Sequence, residues 1–379
     1  MKKIKVFGVM VVLIAAMTAI VIAATPRIDW YDEPKTDKEL NGSVTYEDLK
    51  IRNTGNELFY LSYYHNAFFE DGTVVYSQFF IHNLGPGSLH PTADLTVIEP
   101  DGSVHRRVKT PGKVVPECAE NKFRVAFGDF SIEGDPAVRP SVYRLKSRYD
   151  ENFGIDLTYT CEAPPFYDKG FYLNDDKNDY QRWVTYCPRG GVEGTVTVNG
   201  KSRKVKGRGF GDHAVTNPSI SSGKPTLSDI GIFIRGSNPD FGFSLMEYRP
   251  IEGGKGIHMP GILVNVGDKN VIFTRDYGLK LVEWREKDGT KFPSKFAIEI
   301  NKPGFKMKGV IEMERYLLSG SVLESVDSKA LRFMMSKLVG DSKWARFVCG
   351  LKFYYNYEER NKTTEGKAIT QVMLSGAAR

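Results

Sequence analysis

The sequence lacks the short patterns that mark three large enzyme classes: no GxSxG, HExxH or P-loop motif occurs. It is poor in metal-ligating residues, with six histidines and four cysteines in 379 residues. Cys118, Cys161, Cys187 and Cys349 stand too far apart for the paired spacing of a zinc site. His65, His82 and His90 have no helix-borne ligand spacing either, so neither a metal nor a cofactor is expected. There is no long basic block. The formal charge is +6, and Lys2, Lys3 and Lys5 supply three of those charges, so the rest of the chain carries about +3 and nucleic acid is not an expected partner. The chain also lacks strand–helix alternation, which argues against a parallel sheet.

What is present begins at the N-terminus. After the lysine-rich head, Val6 to Ala24 runs without a charge and ends in the small pair Ala23-Ala24. A basic head, an apolar run and small residues form an export signal. The run approaches the ~20 residues that span a bilayer, so cleavage and retention as an anchor are both open, and residues 6–24 would carry any membrane association. The lysines favour an N-terminus on the inside, which places the folded part outside the cytoplasm, periplasmic or membrane-anchored. In such a compartment four cysteines permit two disulfides with three possible connectivities; four buried thiols are the alternative.

From Glu57 onward the chain reads as strands between turn signals. Thr73 to His82 follows Asp71-Gly72, and Ala93 to Glu99 is joined to Ser103 to Val108 by Pro100-Asp101-Gly102. Thr195 to Val198 and Ser202 to Val205 flank Asn199-Gly200, the strongest hairpin signal in the sequence. Seven further strands follow between Ile230 and Tyr357. Ser328 to Leu338 alone has helical spacing, with Leu331, Met334, Met335 and Leu338 on one face. The fold class is therefore all-β, made of antiparallel hairpins in barrels or sandwiches with one short helix. A polar stretch, Thr216 to Ser228, marks a domain boundary. The expected divisions are 1–24 as signal or anchor, 25–222 and 223–379.

Gly207 to His213, GRGFGDH, is the densest cluster of small and reactive residues. Glycine at every second position leaves one face of an extended segment bare, so that another chain or a ligand can approach closely. The spacing is not GxGxxG, which excludes a dinucleotide loop. Two roles remain open for Asp212: a turn cap, or a reactive carboxyl group.

This segment resembles the G-x-G-Tyr-x-Asp-His signature of a superfamily of paired lipocalin-like barrels. That superfamily includes carotenoid hydratases, AttH-type proteins, fungal Diels–Alderases and yeast survival-factor proteins. Phe59 to Asn83, containing DGTVVYSQFFIHN, resembles the first-barrel strands of the survival-factor branch. The resemblance implies two lipocalin-like β-barrel domains. It places Asp212 at the family's proton donor, His213 at its neighbour, and Trp183 near a pocket tryptophan. Phe210 replaces the usual tyrosine, and Ala214-Val215 replace Asn-Trp, which weakens the case for that reaction.

Protonating an isolated alkene requires a strong acid in an apolar cavity. Burial raises a carboxyl pKa, and aromatic faces stabilise a cation by up to about 2 kcal/mol each. Trp183, Phe210, Tyr64, His82, Phe80, Phe233 and Phe243 are the candidate ligand-binding residues, with Asp212 and His213 as candidate catalytic residues. If Asp212 acts this way, Asp212→Asn is expected to keep the shape and lose the proton. Three functions follow. The first is an exported lipocalin-like protein that binds a hydrophobic lipid or isoprenoid. The second is a hydratase, lyase or cyclase using Asp212 as general acid. The third is a carbohydrate-active β-sandwich. Aromatics enclosed in the fold would favour a lipid, and aromatics stacked along an open groove would favour a sugar.

Overall fold

The computed structural model describes residues 29–52, 55–56, 59–83, 89–110, 122–172, 180–217, 229–250, 258–321, 333 and 342–374. The N-terminal segment, the helix expected over 328–338, Cys118 and the boundary expected at 222/223 lie outside the described residues, apart from Phe333.

The described chain forms two β-barrel domains, each a curled antiparallel sheet. The first has twelve strands. They are β1 Asp29–Trp30, β2 Tyr60–Phe69, β3 Val74–His82, β4 His90–Ile98, β5 Val104–Lys109, β6 Phe123–Phe127, β7 Phe130–Gly134, β8 Val142–Arg148, β9 Gly154–Cys161, β10 Phe166–Tyr172, β11 Tyr180–Val198 and β12 Lys201–Asn217. Their order is β5-β4-β3-β2-β12-β11-β9-β8-β7-β6, with β10 and β1 branching from β11. The second sheet has nine strands: β13 Ile230–Ser237, β14 Phe241–Arg249, β15 Ile262–Val266, β16 Lys269–Thr274, β17 Gly278–Lys287, β18 Thr290–Lys302, β19 Phe305–Ser321, β20 Lys343–Tyr357 and β21 Arg360–Leu374. Its order is β16-β15-β14-β13-β21-β20-β19-β18-β17. Two one-turn helices, α1 Asp37–Leu40 and α2 Tyr46–Leu49, precede β2.

The turns form where the sequence signals them. Asn199 and Gly200 take φ of 51° and 76°, the left-handed pair that a tight hairpin requires, and join β11 to β12. Gly72 and Gly102 turn the chain in the same region of φ.

The central strands are buried on both faces, which explains why they read as continuous apolar runs. In β2, Leu61, Tyr63, Ala67 and Phe69 point into the first barrel. The alternate residues Ser62, Tyr64 and Asn66 are buried too, because the second sheet covers them. Ile230, Ile232 and Ile234 of β13 likewise fill the second barrel, while Phe233 faces the first sheet. A third cluster, containing Tyr64, Trp183 and Phe210 together with Phe233, Met246 and Ile369, is the seam between the domains. Each such side chain contributes about 1.5–3 kcal/mol when fully buried.

Leu49 closes one end of the first barrel, and its carbonyl accepts a 2.5 Å hydrogen bond from the Tyr63 hydroxyl. β11 bends in the middle, pairing first with β10 and then with β9 across irregularities between Val184 and Gly190. Cys187 lies in this bend and is disulfide-bonded to Cys161 at the end of β9, with Cα atoms 5.3 Å apart. Cys349 is a buried free thiol in the second barrel.

The disulfide closes a 26-residue separation, for which chain entropy predicts a stabilisation of about 3 kcal/mol. Cys161→Ser is expected to lower the unfolding free energy by that amount in a denaturant titration. It should also abolish the sensitivity to reductant expected of the unmodified protein. Identical midpoints for the oxidised and reduced unmodified protein would contradict the pairing.

Candidate functional site

The glycine motif lies within β12, a 17-residue strand, between β2 and β11. Asp212 therefore caps no turn. Successive side chains on a strand point to opposite faces, so the motif serves two environments. On one face, Gly209 and Gly211 receive the rings of the first barrel: a Cβ at Gly211 would stand 2.7 Å from Tyr186 Cε2, and one at Gly209 2.8 Å from Tyr159 Cε1. The close approach expected from the glycines is made by the protein's own tyrosines.

On the other face, Phe210 and Asp212 point into the seam. Asp212 is fully buried on its side chain, and its Oδ2 accepts hydrogen bonds from Trp183 Nε1 at 3.0 Å and from Arg235 Nε at 2.8 Å. Arg235 comes from β13, so this ion pair joins the two domains. Its guanidinium lies 4.2 Å from the centre of the Tyr64 ring and 5.3 Å from that of Phe233. Asn66 Nδ2 donates to the Arg235 carbonyl at 3.1 Å and to the Tyr64 hydroxyl at 3.0 Å. Burial pushes the Asp212 carboxyl up from its ordinary value, and Arg235 pulls against that shift. Its Oδ1 has no hydrogen-bond partner among the described residues.

The structure thus brings together Asp212, Trp183, Phe210, Tyr64 and Phe233 from the predicted set. His213 is not with them. It faces the first barrel, where its ring stacks on Tyr63 at 4.3 Å and Nδ1 bonds the Ser62 carbonyl at 3.1 Å. Phe243 lies in the second barrel against Phe353, because it occupies the other face of β14. Phe80 is half-buried at the margin of the seam against Tyr60, and His82 ends β3 with its ring 5.7 Å from that of His90. His65 is separate again, sharing a 2.5 Å hydrogen bond with Tyr186 inside the first barrel.

Sequence reasoning missed Arg235 and two similar contacts. Arg346 Nη1 reaches Asp94 Oδ2 at 2.8 Å, while Arg106 contacts the same carboxylate at 3.0 and 3.1 Å. Arg275 Nη2 lies 2.5 Å from Asp168 Oδ1. The available signal was a lone arginine inside an apolar strand, as in IGIFIRGS and KWARFV. Beside Trp183 the seam carries a small cleft with both apolar walls, from Phe171, Met246, Met259 and Pro260, and polar ones, from Asp168, Gln181 and Arg182.

Two lipocalin-like barrels packed across a seam, with a buried aspartate, arginine and tryptophan at its centre, make a paired lipocalin-like fold. Solved structures share this fold over nearly the whole chain. CghA superposes with a TM-score of 0.56 at 13% identity, covering 93% of this chain and 99% of that one. The corresponding values are 0.55, 10%, 85% and 93% for a putative AttH from Nitrosomonas europaea, and 0.52, 9%, 91% and 98% for kievitone hydratase from Nectria haematococca. In sequence, a ceramide-binding protein, svf1, of Aspergillus fumigatus is 27% identical over 140 residues, which is 35% of this chain. The match spans about a third of that relative's length, 34%. No family model matches the sequence.

Two outcomes test this geometry. Asp212→Ala leaves Arg235 charged and unpaired in the seam, so it is expected to cost about 3–5 kcal/mol in urea unfolding. Asp212→Asn strands the same charge and should also destabilise, contrary to the expectation from sequence. Adding Arg235→Met to Asp212→Asn should recover much of the loss. A cost below about 1 kcal/mol for Asp212→Ala would show the pair to be solvated.

The second outcome concerns pH. Burial lowers His213 to about 4 and His65 to about 3. The folded state therefore binds fewer protons than the unfolded chain below pH 6.5, so stability present above that value is lost as pH falls toward 4. The expected slope is about 1.4 kcal/mol per pH unit for each ring. Urea midpoints for His213→Phe should lose one ring's share of the slope.

Proposed function

We propose that the protein is an exported carrier of a hydrophobic lipid or isoprenoid ligand, held in the cleft beside Trp183 between domains 25–222 and 223–379. The observation that carries this reading is the enclosed apolar seam of Tyr64, Trp183, Phe210, Phe233 and Met246, which ends at a small cleft where Phe171 of the first sheet meets Met259. The seam aromatics are enclosed, the arrangement that favours a lipid over a sugar. The partial relative's name, a ceramide-binding protein, supports the ligand class. Residues 6–24 are the proposed export signal or membrane anchor, and the Cys161–Cys187 bond supports an oxidising compartment.

A second reading, an enzyme protonating an alkene through Asp212, is favoured by the unpartnered Oδ1 and by the upward push of burial on its carboxyl. Against it, the aromatic faces of Tyr64 and Phe233 that would steady a cation already hold Arg235.

The natively purified protein, extracted with organic solvent, is expected to release a hydrophobic molecule in near-stoichiometric amount by mass spectrometry. Met246→Trp and Met259→Trp, which fill the cleft, should reduce that amount at least tenfold while the fold persists. Returning the extracted molecule to the protein in D₂O separates the readings, since carbon-bound deuterium appears only if an acid protonates an alkene. A purified protein without ligand that also takes up no long-chain fluorescent probe would end the carrier reading.

A further inference from the structure

A second, somewhat larger cleft, of about 60 Å³, lies at the mouth of the first barrel on the opposite face of β11 from the seam. Tyr180, Arg182, Val184, His213 and Val215 form its floor, and the α2 segment with Lys50 and Arg52 forms its wall. Most of its charges are already committed. Glu47 is bonded to Lys50 at 2.6 Å and to Arg52 at 2.8 Å. Asp48 accepts from the backbone N–H of Thr45 at 2.8 Å and from its hydroxyl at 2.7 Å.

Two atoms on its lining residues have no hydrogen-bond partner among the described residues. The ring of His213 is 1% exposed, and its Nε2 has no hydrogen-bond partner among the described residues. Its Nδ1 meets the Ser62 carbonyl, and a carbonyl oxygen only accepts, so Nδ1 carries the hydrogen. The ring is neutral above about pH 5, because burial lowers its pKa to about 4. Nε2 is then a bare lone pair that requires a donor and repels an anion. Arg182 stacks 4.3 Å from the centre of the Tyr180 ring and its guanidinium interacts with the hydroxyls of Tyr167 and Tyr172, yet its buried Nε has no hydrogen-bond partner among the described residues. A buried polar atom left unsatisfied costs about 1–3 kcal/mol, so two on neighbouring residues of one cleft lining form a place where a matching group would be stabilised.

We propose that the mouth of the first barrel is a binding site, distinct from the seam, for an uncharged polar group pairing a hydroxyl or amide donor for His213 Nε2 with an oxygen acceptor for Arg182 Nε. A free amide alcohol and the head of a lipid share that chemistry. The two clefts share Arg182 at their border, while His213 belongs to this one alone, so its Nε2 resonance reports this site and not the seam.

The test uses the full protein with ¹⁵N-labelled histidine and two probes, N-acetylethanolamine and its long-chain analogue N-lauroylethanolamine. Saturable binding should move the His213 Nε2 resonance in the direction of a new hydrogen bond. Movement with both probes assigns a site for soluble molecules, and movement with the long-chain probe alone assigns the head of a lipid; either supports the proposal. Arg182→Gln and His213→Phe, the latter keeping the stack on Tyr63, should each weaken binding about tenfold. Arg182 is half-exposed, so its variant remains informative if His213→Phe fails to fold. Met259→Trp, which fills the seam cleft, should leave the resonance shift unchanged, so failure of the seam reading cannot be mistaken for failure here. An Nε2 resonance unmoved by both probes, or binding unaffected by Arg182→Gln, would overturn the proposal.

Discussion

Asp212 and Arg235 meet 2.8 Å apart, with side chains 0% and 6% exposed, and each comes from a different domain. Neither domain can bury its member of the pair alone, because an uncompensated charge inside a protein costs several kcal/mol. The same constraint recurs along the seam at Asp94 with Arg346 and at Asp168 with Arg275. These charges contribute more to register than to net stability. They join the two sheets at three places, and the apolar contacts of Phe210, Phe233, Met246 and Ile369 supply the attraction.

That placement explains the chemistry available at the centre. Tyr64 and Phe233 offer their faces to a cation, and the cation present is the Arg235 guanidinium. The small cleft of the seam is displaced from this centre, toward Trp183 and Met259 at its edge. Trp183 couples the two places, since its indole N–H is fixed on Asp212 while its side chain borders the cleft.

β11 organises the first barrel in a comparable way. Its bend allows one strand to pair with β10 and then with β9, and the Cys161–Cys187 bond ties that bend to the end of β9. Around the bend, the bare faces of Gly209 and Gly211 admit Tyr159 and Tyr186. The motif that stands out in the sequence is therefore half a packing device and half a polar centre, divided by the alternation of a single strand.

Most of the local structure was legible in the sequence because it rests on short-range physics. Asn199-Gly200 must turn, Thr73 to His82 must extend, and a chain of such hairpins without helical alternation must form antiparallel sheets. The weakly patterned strands from Phe123 to Tyr172 were not legible, and neither was the length of β12, because tertiary pairing sustains them. Asp212, Phe210 and Trp183 were named from a motif and a resemblance, and Tyr64 and Phe233 as aromatics able to line an apolar site; the structure brings all five together. His213 and Phe243 share strands with site residues but face other cores. The sequence by itself determined the hairpins, the all-β class and the residues able to do chemistry, since turn geometry and side-chain type are local properties. Only the tertiary structure decided that Arg235 neutralises Asp212, that Cys187 joins Cys161, and which face of each strand meets which neighbour. Those facts depend on contacts between residues far apart in the chain, which no local pattern records.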